Sequence, residues 1–475
     1  MIYTVDYSTV LFIQKKLYLI DNGDFMTELK SDLNFRINHL NEKRDSLTGL
    51  LKYEYFVEEI KNIIVANTNN ENFKLAIVYT DFKHFKYLNE TFGYNKGNDL
   101  LCMYADFSLS DSDVFLGACR IFSDNFIMAV NVSKFTPAHF FNEVDRKNHH
   151  FEAEIKHMFL DRHITINAGV YILKDTFNED IETAISNANY ARKEAKRLES
   201  DKCIEFTEDM RCKIINDMEM SSSLPKAIEN GEIQVFFQPK VDSTTKNVIG
   251  AEALVRWIKP DGKFIFPDQF IPLFESNGLI IEIDYYVYRT VFKYIRERLD
   301  NELTVVPISM NISRVHFRSD ELGIYIKELL EEFQIPTKYI EFELTESIYI
   351  NSMNKVLPFV SLMHELGIKV SMDDFGSGYS SLNLLNNLPI DILKLDRVFL
   401  ANDDLTKNQK IILSCVISMA KQLDIRVLCE GVENKLQSDF LSTAGCDMFQ
   451  GYYFSKPINQ TAFEEFLNNN TVDII

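Results

Sequence analysis

The sequence predicts two fold classes in succession: a small α+β domain and then an α/β barrel of the (β/α)8 type. The length of 475 residues suggests about two to four domains. Residues 45–206 mix strand–turn–strand patterns with amphipathic helices, which is typical of an α+β domain. Residues 221–470 contain short apolar runs at the spacing of βα units. A mostly helical leader at 1–44 and a linker helix at 207–220 complete the predicted organisation.

Composition and charge exclude several kinds of partner and location for this protein. The hydrophobic share of 46% and the charged share of 25% are ordinary for a folded globular chain. The net charge of −20 disfavours duplex nucleic acid and anionic lipid as partners. Seven scattered cysteines without a C-x-x-C pair favour a reducing compartment, and no apolar run approaches the ~20 residues of a membrane span. We therefore expect a cytoplasmic protein without a transmembrane segment.

Four patterns define the predicted α+β domain. An apolar run at 75–79 leads to Asp81, so we expect a buried strand with an acid at its carboxyl end. Residues 119–130 read as strand, turn and strand. The alternation of apolar and polar residues at 164–171 predicts a half-buried strand. Apolar residues over 181–198 follow the period of an amphipathic helix.

Polar side chains end the apolar runs of the predicted barrel at regular intervals. Successive positions are 20–36 residues apart, except for a first interval of 59 residues that could hide an extra strand. One strand and one crossover helix fit the shorter intervals. Because the carboxyl ends of parallel strands meet at one rim of a barrel, we expect these side chains in one pocket. They are Glu252, Asn311, Glu343, Asp373, Lys394, Glu430 and Gln450.

Oxygen donors dominate this predicted rim. Carboxylates and an amide without histidine or cysteine select Mg²⁺ or Mn²⁺, and two divalent cations relieve the repulsion between the carboxylates. Such a pair can activate water and cleave a phosphodiester, with Lys394 orienting the water or neutralising phosphate charge. A single glutamate at a strand end is more often a solvated loop residue, and Asp373 with Asp374 could be a helix N-cap. The complete set favours metal-dependent phosphoester hydrolysis.

The same positions carry a resemblance to a known family. Ordered motifs across about 221–470 resemble those of the EAL domain, the bacterial cyclic di-GMP phosphodiesterase. The motifs are Phe237-Gln-Pro-Lys240, Glu252-Ala-Leu-Val-Arg-Trp257, Met310-Asn-Ile-Ser313, Glu343-Leu-Thr-Glu346, the run from Asp373 to Ser381, Lys394-Leu-Asp396, Glu430-Gly-Val-Glu433 and Gln450-Gly-Tyr452. The resemblance implies a TIM-like barrel with an antiparallel first strand, two Mg²⁺ or Mn²⁺ ions, opening of cyclic di-GMP to linear pGpG, and a homodimer formed through this domain.

The resemblance also implies a role for each matching residue. Lys394 would position the attacking water, Glu430 would assist as ligand or base, and Glu433 would support the shell of metal and water. Glu346 would tether the loop at 374–381. The implied metal ligands are Glu252, Asn311, Glu343, Asp373 and Asp374. The implied substrate contacts are Gln238, Arg256 and Gln450.

Residues 45–206 resemble the GGDEF domain, the nucleotidyl-cyclase-like fold of diguanylate cyclases. The turn at 122–126 departs from the family because it reads Phe-Ser-Asp-Asn-Phe. Side chains replace the glycines that let phosphates approach the backbone, and an amide replaces a carboxylate. The matching positions are the turn at 45–50, Asp81, Phe85, Lys86 and Asn89. Further departures are Tyr53, Lys83, Asn98 and the absence of an R-x-x-D motif at 113–116.

These departures predict a degenerate GGDEF domain without diguanylate cyclase activity. Asp81 and Asp124 could still form a residual metal site, and GTP could bind there and activate the barrel domain. The whole chain is then a cyclic di-GMP-specific phosphodiesterase with a regulatory first domain. The alternative is a non-catalytic cyclic di-GMP receptor, but such proteins usually lose the metal carboxylates that this sequence keeps.

Overall fold

The computed structural model describes residues 42–109, 114–160, 164–376, 389–400 and 405–469. The chain divides into two compact units, with the boundary between residues 214 and 215. Within the described ranges, none of the helices combines the length and the apolar character needed to cross a bilayer. The predicted helical leader lies outside the described residues except for its last three positions.

The first unit contains a five-stranded sheet flanked by helices in its described part. The strands are β1 (Leu75–Phe82), β2 (Phe115–Arg120), β3 (Phe126–Asn131), β4 (Ile166–Ile172) and β5 (Ile204–Glu205). The helices are α1 (Tyr53–Ala66), α2 (Phe85–Phe92), α3 (Tyr94–Leu109), α4 (Pro137–Ile155) and α5 (Ile181–Arg197), with a 3₁₀ helix at Lys156–Phe159. The strand order is β2-β3-β1-β4-β5, and β1 is antiparallel to both of its neighbours. The predicted α+β class is confirmed.

The strand predicted at 164–171 is present as β4, but the prediction that it is half-buried is wrong, because six of the seven residues of β4 are buried. One face of β4 packs into the apolar cluster that includes α4, and the other face packs with α5. Gly169 permits this second contact. A Cβ at Gly169 would lie 2.2 Å from the Ala188 carbonyl oxygen and 2.0 Å from the Arg192 backbone nitrogen. The alternation therefore marks two different packing partners and not a solvent-exposed face.

Helix α6 (Glu208–Glu229) contains the boundary between the two units, covers most of the predicted linker and continues beyond residue 220. The remaining elements belong to the second unit. Its strands are β6 (Ile233–Asp242), β7 (Val248–Ile258), β8 (Phe264–Ile265), β9 (Ile308–Asn311), β10 (Ile340–Thr345), β11 (Lys369–Phe375), β12 (Ile392–Leu395), β13 (Arg426–Cys429) and β14 (Met448–Phe449). Its helices are α7 (Pro267–Asn277), α8 (Ile280–Asp300), α9 (Glu321–Phe333), α10 (Glu346–Glu365), α11 (Lys407–Gln422), α12 (Lys435–Ala444) and α13 (Gln460–Asn469). Short 3₁₀ helices occur at Arg314–Arg318, Thr337–Tyr339 and Arg397–Leu400.

Eight of these described strands close into a barrel. The order around the wall is β6-β7-β9-β10-β11-β12-β13-β14, and β14 pairs again with β6. Strand β6 is antiparallel to both of its neighbours, whereas the pairs from β7–β9 to β13–β14 are parallel. The predicted TIM-like barrel with an antiparallel first strand is confirmed.

The long first interval does not contain another strand of the barrel wall. It holds α7, α8 and the two-residue β8, which pairs antiparallel with the end of β7. Because parallel strands in this fold are covered by helices, their apolar residues are buried on both faces. Strand β12 shows the result, since all four of its residues are buried, including a lysine.

Candidate active site

Strand register brings the predicted carboxylates to one level of the barrel. Glu343 of β10 pairs with Asn311 of β9, and its partner on β11 lies two positions before Asp373. On the other side, the β9 partner of Glu252 lies two positions before Asn311. Residues two positions apart share one face of a strand. Glu252, Glu343 and Asp373 accordingly place carboxylate oxygens within 4.8 Å of one another.

A buried lysine lies at the centre of this carboxylate cluster. The ammonium group of Lys394 is 3.1 Å from Asp373 Oδ1, 2.7 Å from Glu430 Oε1 and 3.5 Å from Glu252 Oε2. It also donates a hydrogen bond to Glu343 Oε2. Lys394 lies on β12 between Leu393 and Leu395, which pack into the apolar core. The strand therefore turns only the lysine toward the carboxylates.

Amide side chains connect the cluster to two further strands. Gln450, directly after β14, donates hydrogen bonds to Glu252 Oε2 at 2.6 Å and to Gln238 Oε1 at 3.0 Å. Asn311 donates to the other oxygen of Glu252 at 2.9 Å. Gln238 in turn donates to the Ser455 carbonyl at 3.2 Å. Both oxygens of Glu252 thus have defined partners, and the predicted residues Gln238, Asn311 and Gln450 lie beside the carboxylates.

A second buried lysine, Lys240, also contacts the carboxylate cluster. The ammonium of Lys240 on β6 lies 2.9 Å from Glu343 Oε1 and 3.0 Å from Glu341 Oε1. Strand β6 does not neighbour β10 in the wall, so Lys240 spans the barrel interior to make these contacts. Sequence reasoning assigned no role to Lys240 or Glu341. The spacing in the sequence could have indicated both residues. Lys240 is two positions from Gln238 and Glu341 is two positions from Glu343, so each shares a strand face with a predicted site residue.

Burial and charge shift the ionisation of this cluster in opposite directions. Burial raises the pKa of Glu252, and it raises the pKa of Glu430 well above its usual range. Burial also opposes ionisation of Glu343, but the ammonium groups of Lys240 and Lys394 outweigh it and lower the pKa of Glu343. The same burial would lower the pKa of Lys394, yet its carboxylate partners raise it well above the usual value. In the metal-free cluster these contacts favour a charged Lys394 ammonium group and a charged Glu343 carboxylate.

Asp374 occupies a strained position beside the cluster. Its φ of 57° is left-handed, a conformation that few side chains other than Asn and Asp adopt. Its backbone N–H donates to Asp373 Oδ1 at 2.9 Å. Burial, followed by the charges of Asp373 and Asp396, raises the pKa of Asp374 to about 7. The rest of the predicted loop, from residue 377 to 381, lies outside the described residues.

Three predicted residues stand apart from the contacts described so far. Arg256 is half-buried, and its guanidinium donates to the Val255 carbonyl at 2.8 Å and lies 5.9 Å from the Phe236 ring centre. Glu346 is buried at the first position of α10. Glu433 is exposed on the loop after β13, where its backbone N–H donates to Gln437.

The loops that carry Glu430 and Gln450 pack backbone against backbone. The Val432 N–H donates to the Gln450 carbonyl at 3.2 Å, and the Tyr453 N–H donates to the Val432 carbonyl at 3.0 Å. A Cβ at Gly451 would lie 2.2 Å from the Val432 carbonyl oxygen. Only glycine at position 451 lets the two loops approach this closely. The contact between the loops helps to position the side chains of Glu430 and Gln450 at the rim.

In the first unit, the turn between β2 and β3 is a closed hairpin turn. The Asn125 N–H donates to the Phe122 carbonyl at 3.0 Å, and Ser123 is left-handed with a φ of 51°. Arg120 holds the turn by donating to the Ser123 carbonyl at 2.7 Å and pairing with Asp45 at 3.2 Å. The turn is therefore built from side chains at the positions where the GGDEF family has glycines.

The two acids predicted as a residual metal site lie at the carboxyl end of β1 and in this turn. Asp124 accepts a hydrogen bond from the Phe82 N–H at 3.0 Å, and burial raises the pKa of its carboxyl group. Asp81 is buried and forms an ion pair with Arg192 of α5. The carboxylate that was predicted to hold a metal thus already has a cation from the chain.

The donor set of the barrel rim fits a hard divalent cation. Glu252, Glu343 and Asp373 supply the closest group of oxygen donors in the described part of the chain. Asp374 and Glu430 add further carboxyl groups next to these three. Carboxylate and amide oxygens without nitrogen or sulfur donors are the ligands that Mg²⁺ and Mn²⁺ prefer.

Two family models match the chain in succession. The model of the diguanylate cyclase GGDEF domain matches residues 42–202, and the model of the EAL domain matches residues 221–457. The barrel with its carboxylate rim is therefore an EAL domain. The protein belongs to the family in which a GGDEF domain and an EAL domain occur in tandem.

The chain is similar to curated proteins and to a solved structure over most of its length. It is 29% identical over 430 residues to the cyclic di-GMP phosphodiesterase NbdA of Pseudomonas aeruginosa, covering 89% of this chain and 54% of that protein. It is 28% identical over 457 residues to the cyclic di-GMP phosphodiesterase PdeR of Escherichia coli, covering 95% and 67%.

The S helix-GGDEF-EAL structure of Vibrio cholerae LapD, bound to c-di-GMP, has a TM-score of 0.54 and 19% identity. It covers 90% of this chain and 99% of that one. This similarity supports the fold. The chain spans between about half and two thirds of the length of the curated relatives it matches.

Proposed function

We propose that the EAL domain hydrolyses cyclic di-GMP to linear pGpG with Mg²⁺ or Mn²⁺ bound at the carboxylate rim. The observation that carries this proposal is the convergence of Glu252, Glu343 and Asp373 within 4.8 Å of one another around the buried ammonium of Lys394. The cyclic di-GMP phosphodiesterases among the relatives, which align across both domains, support the same activity.

Divalent cations, when bound at this rim, would stabilise negative charge on a phosphodiester and lower the pKa of water. The proposed ligands are Glu252, Asn311, Glu343, Asp373 and Asp374. Lys394 holds a fixed positive charge at the centre of the rim and would orient the attacking water. Glu430, whose raised pKa suits proton transfer, would act as ligand or base.

Substrate binding in this proposal uses the amides and the arginine around the rim. Gln238 and Gln450 are already fixed by hydrogen bonds to each other and to Glu252 or Ser455. Arg256 would contact a phosphate of the substrate. Glu433 would support the shell of metal and water, and Glu346 would tether the loop after Asp374.

We assign a regulatory role to the GGDEF domain and no diguanylate cyclase activity. The exposed Phe122 side chain and the left-handed Ser123 occupy the turn where glycines would admit nucleotide phosphates. Asn125 is a neutral amide and does not supply the carboxylate that the family has at this position. A homodimer through the EAL domain is part of the same proposal.

The first prediction is the reaction itself. Incubating the full-length chain with cyclic di-GMP and either Mg²⁺ or Mn²⁺ should produce pGpG, measured by chromatography, and EDTA should stop it. In parallel, GTP with the same cations should yield neither cyclic di-GMP nor pGpG, because the EAL domain would convert any cyclic product to pGpG. Tight binding of cyclic di-GMP without any pGpG under both cations would instead establish a receptor and refute the hydrolase.

The second prediction concerns the pH dependence of metal binding. Because the pKa of Asp374 is raised to about 7 in the metal-free chain, this carboxyl carries a proton below that pH. A cation must displace the proton, so we expect the affinity for Mn²⁺ to fall as the pH falls through about 7. Titrations at several pH values should show a shallower dependence in Asp374→Asn. An equal slope in the variant would argue against Asp374 as a ligand.

A further inference from the structure

The GGDEF domain contains a buried carboxylate whose two oxygens are both occupied by the chain itself. Asp81 is 5% exposed at the end of β1. Its Oδ1 accepts a hydrogen bond from Asn167 Nδ2 at 2.8 Å. Its Oδ2 accepts from the Arg192 guanidinium and lies 3.3 Å from the ammonium of Lys196. Two cations and one amide therefore contact the Asp81 carboxylate, and the Asp124 carboxyl group lies close enough to interact with its charge.

The Arg192 guanidinium is fixed independently of Asp81. Its Nε and one terminal nitrogen donate to Asn189 Oδ1 at 3.1 and 2.9 Å. Its guanidinium carbon lies 5.1 Å from the centre of the Tyr79 ring, and the side chain is 8% exposed. Moving this group away would leave a buried guanidinium without a carboxylate and would leave Asp81 with the exposed Lys196 as its remaining cation, which is unfavourable. Arg192 is thus a permanent neighbour of Asp81.

Backbone packing places Arg192 at this position. Helix α5 lies against β4 at Gly169, where any Cβ would collide with the Arg192 backbone nitrogen. Strand β4 pairs Asn167 in register with Asp81 of β1. The glycine lets α5 approach, the register supplies the amide, and the helix supplies both cations. The ion pair between Asp81 and Arg192 therefore forms where helix α5 packs against the sheet.

The charge balance here differs from that of the EAL rim. At the rim, the carboxyl groups outnumber the two lysines, Lys394 and Lys240, that contact them. At Asp81, Arg192 and Lys196 match in number the carboxyl groups of Asp81 and the neighbouring Asp124, so no excess of carboxylates remains for a divalent cation. Among the described residues, the grouping of three potential metal-binding side chains occurs at Glu252, Glu343 and Asp373, and Asp81 is not part of it.

We propose that Arg192 and Lys196 are the permanent counter-ions of Asp81, so that the GGDEF domain takes no divalent cation at this carboxylate. A nucleoside triphosphate that binds through a bridging Mg²⁺ consequently cannot use Asp81 of β1 as a ligand of that ion. The inference concerns the first domain only and does not rest on the proposed hydrolysis, because its test counts bound metal and not turnover.

Counting bound Mn²⁺ in the full-length chain tests the proposal. The electron paramagnetic resonance signal of free Mn²⁺ gives the stoichiometry in a titration. We expect wild type and Asp81→Asn to bind the same number of ions. Arg192→Gln/Lys196→Gln should bind one additional ion per chain, and adding Asp81→Asn should remove it. Lys193→Gln, an exposed position on the same helix, is the control and should match wild type.

Loss of an ion in Asp81→Asn would overturn the proposal, as would an unchanged stoichiometry when both cations are removed. A second measurement uses the wild-type chain, so it does not depend on whether a variant folds. Anomalous diffraction from Mn²⁺-soaked crystals of the wild-type chain should show no peak bonded to the Asp81 carboxylate. A peak there would refute the proposal directly, and its absence beside occupied EAL ligands would support it.

Discussion

Replacing Glu252 by alanine should lower the turnover of cyclic di-GMP by at least ~100-fold in the full-length chain, because a metal-binding carboxylate is lost. The structure explains why the effect is large. Glu252 accepts hydrogen bonds from Asn311 at 2.9 Å and from Gln450 at 2.6 Å, and it lies 3.5 Å from Lys394. The substitution removes a proposed ligand and also takes one of its two acceptors from the buried amide of Gln450.

Glu252→Gln separates these two effects, because it keeps the shape of the side chain and removes the charge. We expect its affinity for Mn²⁺ to fall together with turnover while the unfolding temperature changes little. Glu331→Ala, an exposed glutamate on α9, should behave as wild type in all three measurements. If Glu252→Gln hydrolysed cyclic di-GMP at the wild-type rate, the assignment of the metal site to this cluster would be wrong.

Lys394→Met should produce the second large effect, on stability as well as on catalysis. Four carboxylates surround this ammonium, and removing one partner of a buried ion pair typically costs about 3–5 kcal/mol. We therefore expect a metal-free EAL domain that unfolds at much lower urea concentration than wild type. Turnover should also fall by at least ~100-fold, since no other group orients the water in the proposed reaction.

Divalent cations should restore much of the lost stability in Lys394→Met, because they supply the positive charge that the lysine supplied. Unfolding in urea with EDTA and with Mg²⁺ measures this difference, and the difference should be larger in the variant than in wild type. Lys293→Met, at an exposed position on α8, is the control. A metal-free Lys394→Met chain as stable as wild type would show that the lysine does not hold the carboxylates together.

The carboxylate rim could be predicted from sequence because its residues end strands that recur at regular intervals. Glu343 and Asp373 follow runs of the same length and character, and the barrel brings such strand ends together. Spacing alone also predicted that Lys394 would join them. What each residue contacts there depends on the register between strands, which no local pattern specifies.

Other contacts were beyond sequence reasoning because they depend on closure and packing. Lys240 reaches Glu343 only because the wall closes with β6 antiparallel, so that a strand distant from β10 faces it across the interior. Arg192 lies in a helix whose apolar period gives no sign that one polar residue turns toward β1. The burial of β4 depended on a glycine that admits α5, and this contact is made between segments distant in the chain.

The lysine that braces β6 against β10 has a consequence for how the EAL domain handles its cations. With Lys240 contacting one oxygen of Glu343 and Lys394 the other, this carboxylate has a defined orientation in the metal-free chain. A cation that binds at this rim as proposed would therefore meet a carboxylate whose orientation folding has already set.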